Sequence, residues 1–187
     1  MWGSRPDSFI FDILKYKQSG SVLDLGVGYG RNALFLAKKG FNVMGVDKSE
    51  SEINKFKEFA NKYKLKVNAV VSSIEKFKFK KKYDIILSVA TLHFLPRESI
   101  ANTISKIKNS TKAAGFNAII VFTEANADKR FPYLFKKNEL KNFYRDWEII
   151  KYKEFLTPFE KHGERGEWHK HGVAELVARK VRNKRFI

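Results

Sequence analysis

The sequence feature that most constrains the fold is a short apolar segment that runs directly into a cluster of glycines. Residues 22–25 are Val-Leu-Asp-Leu, and Gly26, Gly28 and Gly30 follow at every second position. Residues 33–38 then have the pattern of a helix, which Gly40 ends. The order of strand, loop and helix predicts the beginning of a βαβ unit.

The same alternation continues as far as residue 123. Residues 41–47 form the next predicted strand, and Ser49 with Glu52 predicts a capping box at the start of a helix. Pro96 opens a later helix. Further strands are predicted at residues 66–71, 83–90 and 115–123. Because strands and helices alternate, we expect an α/β fold with a mostly parallel sheet covered by helices on both faces.

The pattern changes after residue 124. A short helix is predicted at residues 139–144, and two strands follow at 147–155 and 173–182. Strands that no long helix separates are expected to pair antiparallel. The complete prediction is a seven-stranded sheet whose last strand pair is antiparallel.

The chain has neither an internal repeat nor a low-complexity linker. We therefore expect residues 1–187 to form a single domain. Residues 1–124 are expected to be its cofactor-binding half, and residues 125–187 its acceptor-side half.

The chain is strongly basic, with 37 Lys and Arg residues against 20 Asp and Glu and a net charge of +17. This charge would suit a nucleic acid or an anionic surface. The lysines are nevertheless spread along the chain, and only Lys80, Lys81 and Lys82 form a short cluster. A solvated, lysine-rich surface is the alternative that this distribution favours.

Cysteine is absent, which excludes disulfides, thiolate catalysis and cysteine-ligated zinc. The longest apolar stretch, residues 85–95, is shorter than the ~20 residues that a membrane span needs. We expect no membrane association and a cytoplasmic protein.

The acid before the glycines indicates what kind of ligand the loop binds. Dinucleotide folds use G-x-G-x-x-G to hold a pyrophosphate, whereas this loop has G-x-G-x-G with Asp24 two residues ahead of Gly26. An acid there would repel phosphate and would accept hydrogen bonds from a cation, such as the ammonium of a methionine moiety. Glycine in such a loop allows a ligand to approach closely.

Asp47 ends the second predicted strand, where a carboxylate can accept hydrogen bonds from both hydroxyls of a ribose. The alternative is that Asp47 only caps the following helix. Ser49 already fills the capping position, so the ribose role is favoured.

Together these residues resemble the S-adenosylmethionine-dependent methyltransferases of class I, through Asp24-Leu25-Gly26-x-Gly28-x-Gly30 and Asp47. The resemblance implies a Rossmann-like methyltransferase fold with S-adenosyl-L-methionine as the cofactor. It implies further cofactor contacts from Arg31, Asn32, Lys48, Ser73, Ile74, Val89 and Ala90. Ser73 and Ile74 would approach the adenine, although the family usually has an acid where Ser73 stands. Val89 and Ala90 would line the methionine side.

A narrower resemblance is to the TehB-like tellurite-resistance methyltransferases, carried by residues 30–37, 83–88, 131–132 with 139–140, and 178–180. It implies a small oxyanion such as tellurite or selenite as the acceptor, steered by His and Arg near the C-terminal strands. In this chain the corresponding residues are His162, Arg165, His169 and His171.

Three of the four histidines fall between residues 162 and 171. They could bind the acceptor or handle a proton, bind a metal as a pair, or lie in a solvated loop; we expect no metal cofactor. His169 and His171 would share a face if the segment is extended. His93 follows the fourth strand and could orient the acceptor or pack under its loop. Trp2 could cover the cofactor or plug the core.

The sulfonium methyl group is already activated, so the protein need only position an acceptor and exclude water. Soft or anionic acceptors such as thiols and selenite need little base assistance, and a small molecule is therefore favoured. Two alternatives remain: a nucleic-acid methyltransferase, which the net charge favours, and a nicotinamide- or nucleotide-binding domain, which the glycine spacing disfavours. Residues 90–94 lack the polar, proline and aromatic arrangement that stacks a flipped base.

Overall fold

The computed structural model describes residues 5–159 and 168–181. The strands of this part are β1 (Ser21–Leu25), β2 (Asn42–Asp47), β3 (Val67–Val71), β4 (Tyr83–Val89), β5 (Thr111–Phe122), β6 (Glu148–Leu156) and β7 (Gly172–Arg179). The helices are α1 (Ser8–Leu14), α2 (Arg31–Lys38), α3 (Glu50–Lys62), α4 (Arg97–Asn109) and α5 (Glu139–Phe143). A single 3-10 turn, Leu92–Phe94, follows β4.

The strands form one sheet in the order β3-β2-β1-β4-β5-β7-β6. Strands β1 to β5 pair in parallel, and β7 pairs antiparallel with both β5 and β6. The predicted α/β class and the antiparallel last pair are confirmed. The strand order reverses between β1 and β4, which opens a crevice at the carboxyl ends of these strands.

Helices cover both faces of the sheet. On one face α1, α2 and α3 contribute buried residues that include Phe9, Leu36 and Phe56. On the other face α4 and α5 contribute Ile104 and Leu140. Both layers bury apolar stripes at helical spacing, so the helices are held mainly by tertiary packing.

The structure differs from the sequence prediction at three places. Helix α1 was not predicted, although Phe9, Ile10 and Ile13 form a buried helical stripe. Strand β5 begins at Thr111 instead of residue 115. Its first residues are irregular, because Ala114 has a φ of +59° and the pairing with β4 shifts between Thr111 and Phe116. Strand β7 ends at Arg179.

The predicted capping box at α3 is half confirmed. The Ser49 hydroxyl accepts a hydrogen bond from the Glu52 N–H at 3.3 Å. The Ser49 N–H, however, donates to Asp47 Oδ1 at 2.9 Å instead of to Glu52. Asp47 thus completes the start of α3, and its carboxylate is fixed at the carboxyl edge of the sheet.

At the opposite, amino edge of the sheet, Asp84 is the second residue of β4 and binds Lys17 at 2.8 Å and Lys112 at 2.7 Å. The Ser21 N–H and hydroxyl also donate to its carboxylate. Burial raises the pKa of Asp84, but these hydrogen bonds outweigh it and hold the pKa well below its usual range. Within the two described segments, no helix is long and apolar enough to cross a membrane.

Candidate active site

The glycine loop, residues 26–30, forms the floor of the crevice between β1 and β4. A Cβ on Gly26 would lie 2.2 Å from Thr91 Oγ1, so glycine lets this loop pack directly on the loop after β4. Gly28 has a left-handed φ of +50°, and a Cβ there would meet only Glu52, at 3.7 Å. The loop therefore leaves open space beside Gly28, where a ligand can approach the backbone.

Asp24 lies in β1 at the base of this crevice and is only 4% exposed. Among the described residues, no group donates a hydrogen bond to its carboxylate. Burial is the main cause that raises the pKa of Asp24 to about 7; the charges of Asp7 and Asp47 act in the same direction, and Arg31 opposes them. A buried acid without a donor fits a cationic ligand group such as an ammonium.

Asp47 is held at the end of β2 by two backbone amides. Its Oδ2 accepts from the Gly28 N–H at 3.0 Å, and its Oδ1 accepts from the Ser49 N–H. Each carboxylate oxygen can still accept a second hydrogen bond, so Asp47 can both cap α3 and bind ribose hydroxyls. Lys48 beside it is exposed.

Arg31 and Asn32 begin α2 and contact Asp7, a residue that the sequence analysis missed. Arg31 Nη2 and Asn32 Nδ2 donate to Asp7 Oδ2 at 2.5 and 2.8 Å. The Asp7 N–H in turn donates to Asn32 Oδ1 at 2.9 Å. These two side chains therefore tie the segment before α1 to the glycine loop, and their predicted contact with the cofactor stays a prediction.

The remaining predicted cofactor residues flank the crevice at the ends of β3 and β4. Ser73 is half-buried just beyond β3, and Ile74 is buried in the core. Val89 ends β4, and Ala90 has a φ of +51°. A non-glycine residue in the left-handed region costs of the order of 1 kcal/mol, and such strain concentrates at functional sites.

His93 packs under the loop after β4. It is 0% exposed, stacks on Phe122 at 4.0 Å, and its Nδ1 accepts from the Phe122 N–H at 3.2 Å. Burial lowers the pKa of His93 to about 3, and His171 contributes to this shift. His93 is therefore neutral, with its proton on Nε2, which has no partner in the described part of the chain. This geometry matches the packing alternative for His93.

Phe122 separates His93 from the C-terminal histidines. His171 stacks on the other face of this ring at 4.5 Å and is 4% exposed. The Asn126 amide donates to Asp128 O at 2.6 Å, so Asn126 Oδ1 accepts from His171 Nδ1 at 2.8 Å. His171 Nε2 lies 3.2 Å from His169 Nε2, within hydrogen-bond distance.

The predicted pairing of His169 and His171 on one face is thus observed. They reach the carboxyl edge of the sheet because Val173, at the start of β7, pairs with Phe122 at the end of β5. No cluster of three or more His, Asp or Glu residues that could hold a metal exists in the two described segments. His162, Arg165 and Trp2 lie outside the described residues.

This chain is similar to known proteins in sequence and in structure. The family model described as tellurite resistance protein TehB matches residues 5–177. A probable S-adenosyl-L-methionine-dependent methyltransferase TehB of Haemophilus influenzae is 32% identical over 91% of this chain. The crystal structure of TehB from Haemophilus influenzae covers 93% of this chain with a TM-score of 0.85.

This chain spans 61% of the length of the curated relative and 62% of the crystallised chain. A Burkholderia thailandensis 1,6-didemethyltoxoflavin-N1-methyltransferase, crystallised with S-adenosylhomocysteine, is 19% identical. It covers 94% of this chain and 76% of its own, with a TM-score of 0.71, and shares the fold.

Proposed function

This chain belongs to the TehB family, and we propose that it transfers a methyl group from S-adenosylmethionine to a small-molecule acceptor. The observation that carries the proposal is the buried Asp24 carboxylate, which has no hydrogen-bond donor among the described residues and a pKa raised to about 7. A carboxylate of this kind needs a cation, and the cofactor's ammonium supplies one.

The cofactor's other groups would contact the surrounding residues. Asp47 would accept hydrogen bonds from the ribose hydroxyls, and the open space beside Gly28 would admit the ligand to the loop. Ser73 and Ile74 would lie toward the adenine, and Val89 and Ala90 toward the methionine moiety. When bound, the cofactor supplies a sulfonium-activated methyl group, so no protein nucleophile is required.

The protein's remaining task is to hold the acceptor and exclude water. We assign the acceptor side to the residues beyond the end of β5, where His169 and His171 lie. An imidazole N–H can donate a hydrogen bond to a small oxyanion, such as tellurite or selenite, or to a thiolate. His93 would support this pocket from below, because it is fully buried against Phe122.

Two measurements test the proposal. The first is calorimetric titration with S-adenosylmethionine, S-adenosylhomocysteine and NAD, in which only the first two should bind. The second is transfer of labelled methyl to thiols, selenite, tellurite and RNA, in which a small-molecule acceptor should be labelled. Labelling of RNA alone would favour nucleic-acid methylation, and failure to bind S-adenosylhomocysteine would refute the proposal.

A further inference from the structure

Asp7 occupies the N-cap position of α1 but does not cap that helix. Its side chain makes no capping hydrogen bond to α1. The carboxylate turns instead toward α2, where Oδ2 is shared by the Arg31 guanidinium and the Asn32 amide. An Asp at this position normally stabilises its own helix, so the local sequence does not account for this arrangement.

The position of Asp7 is fixed from both sides. Phe9, Ile10 and Ile13 of α1 are at most 1% exposed and pack in the same core cluster as α2. The Arg31–Asp7 ion pair has side-chain exposures of 19% on both partners. Since α1 is anchored by its apolar stripe, Asp7 presents a stationary negative charge to the start of α2.

This charge lies within electrostatic reach of Asp24. Among the described residues, the charges that act on the Asp24 carboxylate are those of two acids, Asp7 and Asp47, and one base, Arg31. After burial, Asp7 makes the largest contribution to the raised pKa of Asp24, and Arg31 acts in the opposite direction. The pair of Asp7 and Arg31 thus presents both signs of charge beside Asp24.

We propose that Asp7 is a positioning residue for the cofactor site, because it holds Arg31 and Asn32 so that the glycine loop and the charge around Asp24 suit the cofactor. This inference rests on the proposed function, since it requires Asp24 to bind the cofactor's ammonium. Asp7 acts through Arg31 and Asn32 and is not itself a catalytic residue.

The test compares Asp7→Asn with a matched control in the same helix, Asp12→Asn. Asp12 pairs with Lys15 at 2.9 Å and with Lys151 at 3.2 Å, and neither lysine belongs to the glycine loop. S-adenosylhomocysteine affinity is measured by calorimetry between about pH 6 and pH 9. Asp7→Asn should weaken binding about ten-fold, the value of one charge-assisted hydrogen bond. Asp12→Asn should bind like the wild type.

The pH profile separates positioning from a purely structural role. Removing the Asp7 charge lowers the pKa of Asp24, so the midpoint of the pH dependence of binding should move to lower pH in Asp7→Asn only. If Asp7→Asn does not fold, Arg31→Gln breaks the same ion pair from its other side. In the double variant, the two losses should be clearly less than additive.

Three results would overturn the inference. If Asp7→Asn binds S-adenosylhomocysteine with wild-type affinity and an unchanged midpoint of the pH dependence, Asp7 is not a positioning residue. The proposed function is then unaffected. Weaker binding with an unchanged midpoint would assign Asp7 a structural role only. Failure of the wild type to bind S-adenosylhomocysteine would remove the proposed function and this inference together.

Discussion

Replacing Asp24 with Asn should stabilise the protein more at high pH than at low pH. The pKa of Asp24 rises from 3.8 to about 7 in the folded protein, so folding favours the protonated form. Protonated Asp24 contributes to the free energy of unfolding relative to the ionised form. This contribution is fully present below pH 3.8 and is lost as the pH rises to about 7. At ~1.4 kcal/mol for each pKa unit, the ionised carboxylate costs about 4 kcal/mol above pH 7 and about 1.5 kcal/mol at pH 5.

The measurable quantity is the difference between these two costs. Asp24→Asn introduces a constant penalty for a buried amide, but it removes the pH dependence. Its free energy of unfolding relative to wild type should therefore improve by about 2 to 3 kcal/mol between pH 5 and pH 8.5. Urea denaturation of both proteins at these two pH values measures it.

Asp84→Asn is the control, because the pKa of Asp84 is held low by Lys17 and Lys112. Its carboxylate is ionised in the folded and unfolded states from pH 5 to 8.5, so its loss should destabilise the protein similarly at both. If Asp24→Asn shows the same flat difference as Asp84→Asn, the argument that Asp24 is a destabilised ligand-binding acid is refuted.

Three further predictions concern the ligand sites and the core. Asp47→Ala should weaken S-adenosylhomocysteine binding by about 1.5 to 3 kcal/mol for each ribose hydrogen bond lost, with the melting temperature measured in parallel; unchanged affinity would remove the ribose assignment. Replacing His169 and His171 with Ala should raise the acceptor KM or lower kcat while calorimetry shows unchanged cofactor affinity; unaltered kinetics would leave the two histidines with a packing role only. Phe122→Ala should cost about 3 to 5 kcal/mol in urea denaturation, because both imidazole stacks are lost; a cost below about 1 kcal/mol would contradict the packing described here.

The elements of this fold that can be predicted from the sequence are those with a local residue pattern. Strands β1 to β4 show as apolar runs between helical patterns, and Gly26, Gly28 and Gly30 mark the loop between β1 and α2. Helix α1 also has an apolar stripe, in Phe9, Ile10 and Ile13, but its 7 residues are too few to show a clear helical period. The start of β5 was misplaced because irregular backbone has no periodic pattern.

Two acids of the candidate site can be predicted from the sequence because they lie near the carboxyl ends of strands, Asp24 in β1 and Asp47 in β2. Parallel strands bring these ends to one edge of the sheet. Asp7 and Asn126 were missed, since their partners are 25 and 45 residues away in the chain and no local pattern reports such a contact. The burial of His93 depends on stacking with Phe122, 29 residues further along the chain, which the sequence does not encode locally.

The central claim is that Asp24, a buried acid to which no described residue donates a hydrogen bond, binds the cofactor's ammonium. Proton release on binding tests this claim most directly. Titration with S-adenosylhomocysteine at pH 7, in two buffers of different ionisation enthalpy, counts the protons exchanged. With a pKa of about 7, Asp24 should release about half a proton on binding, and Asp24→Asn should release none. Binding with no dependence on the buffer, or equal binding of NAD, would contradict the account.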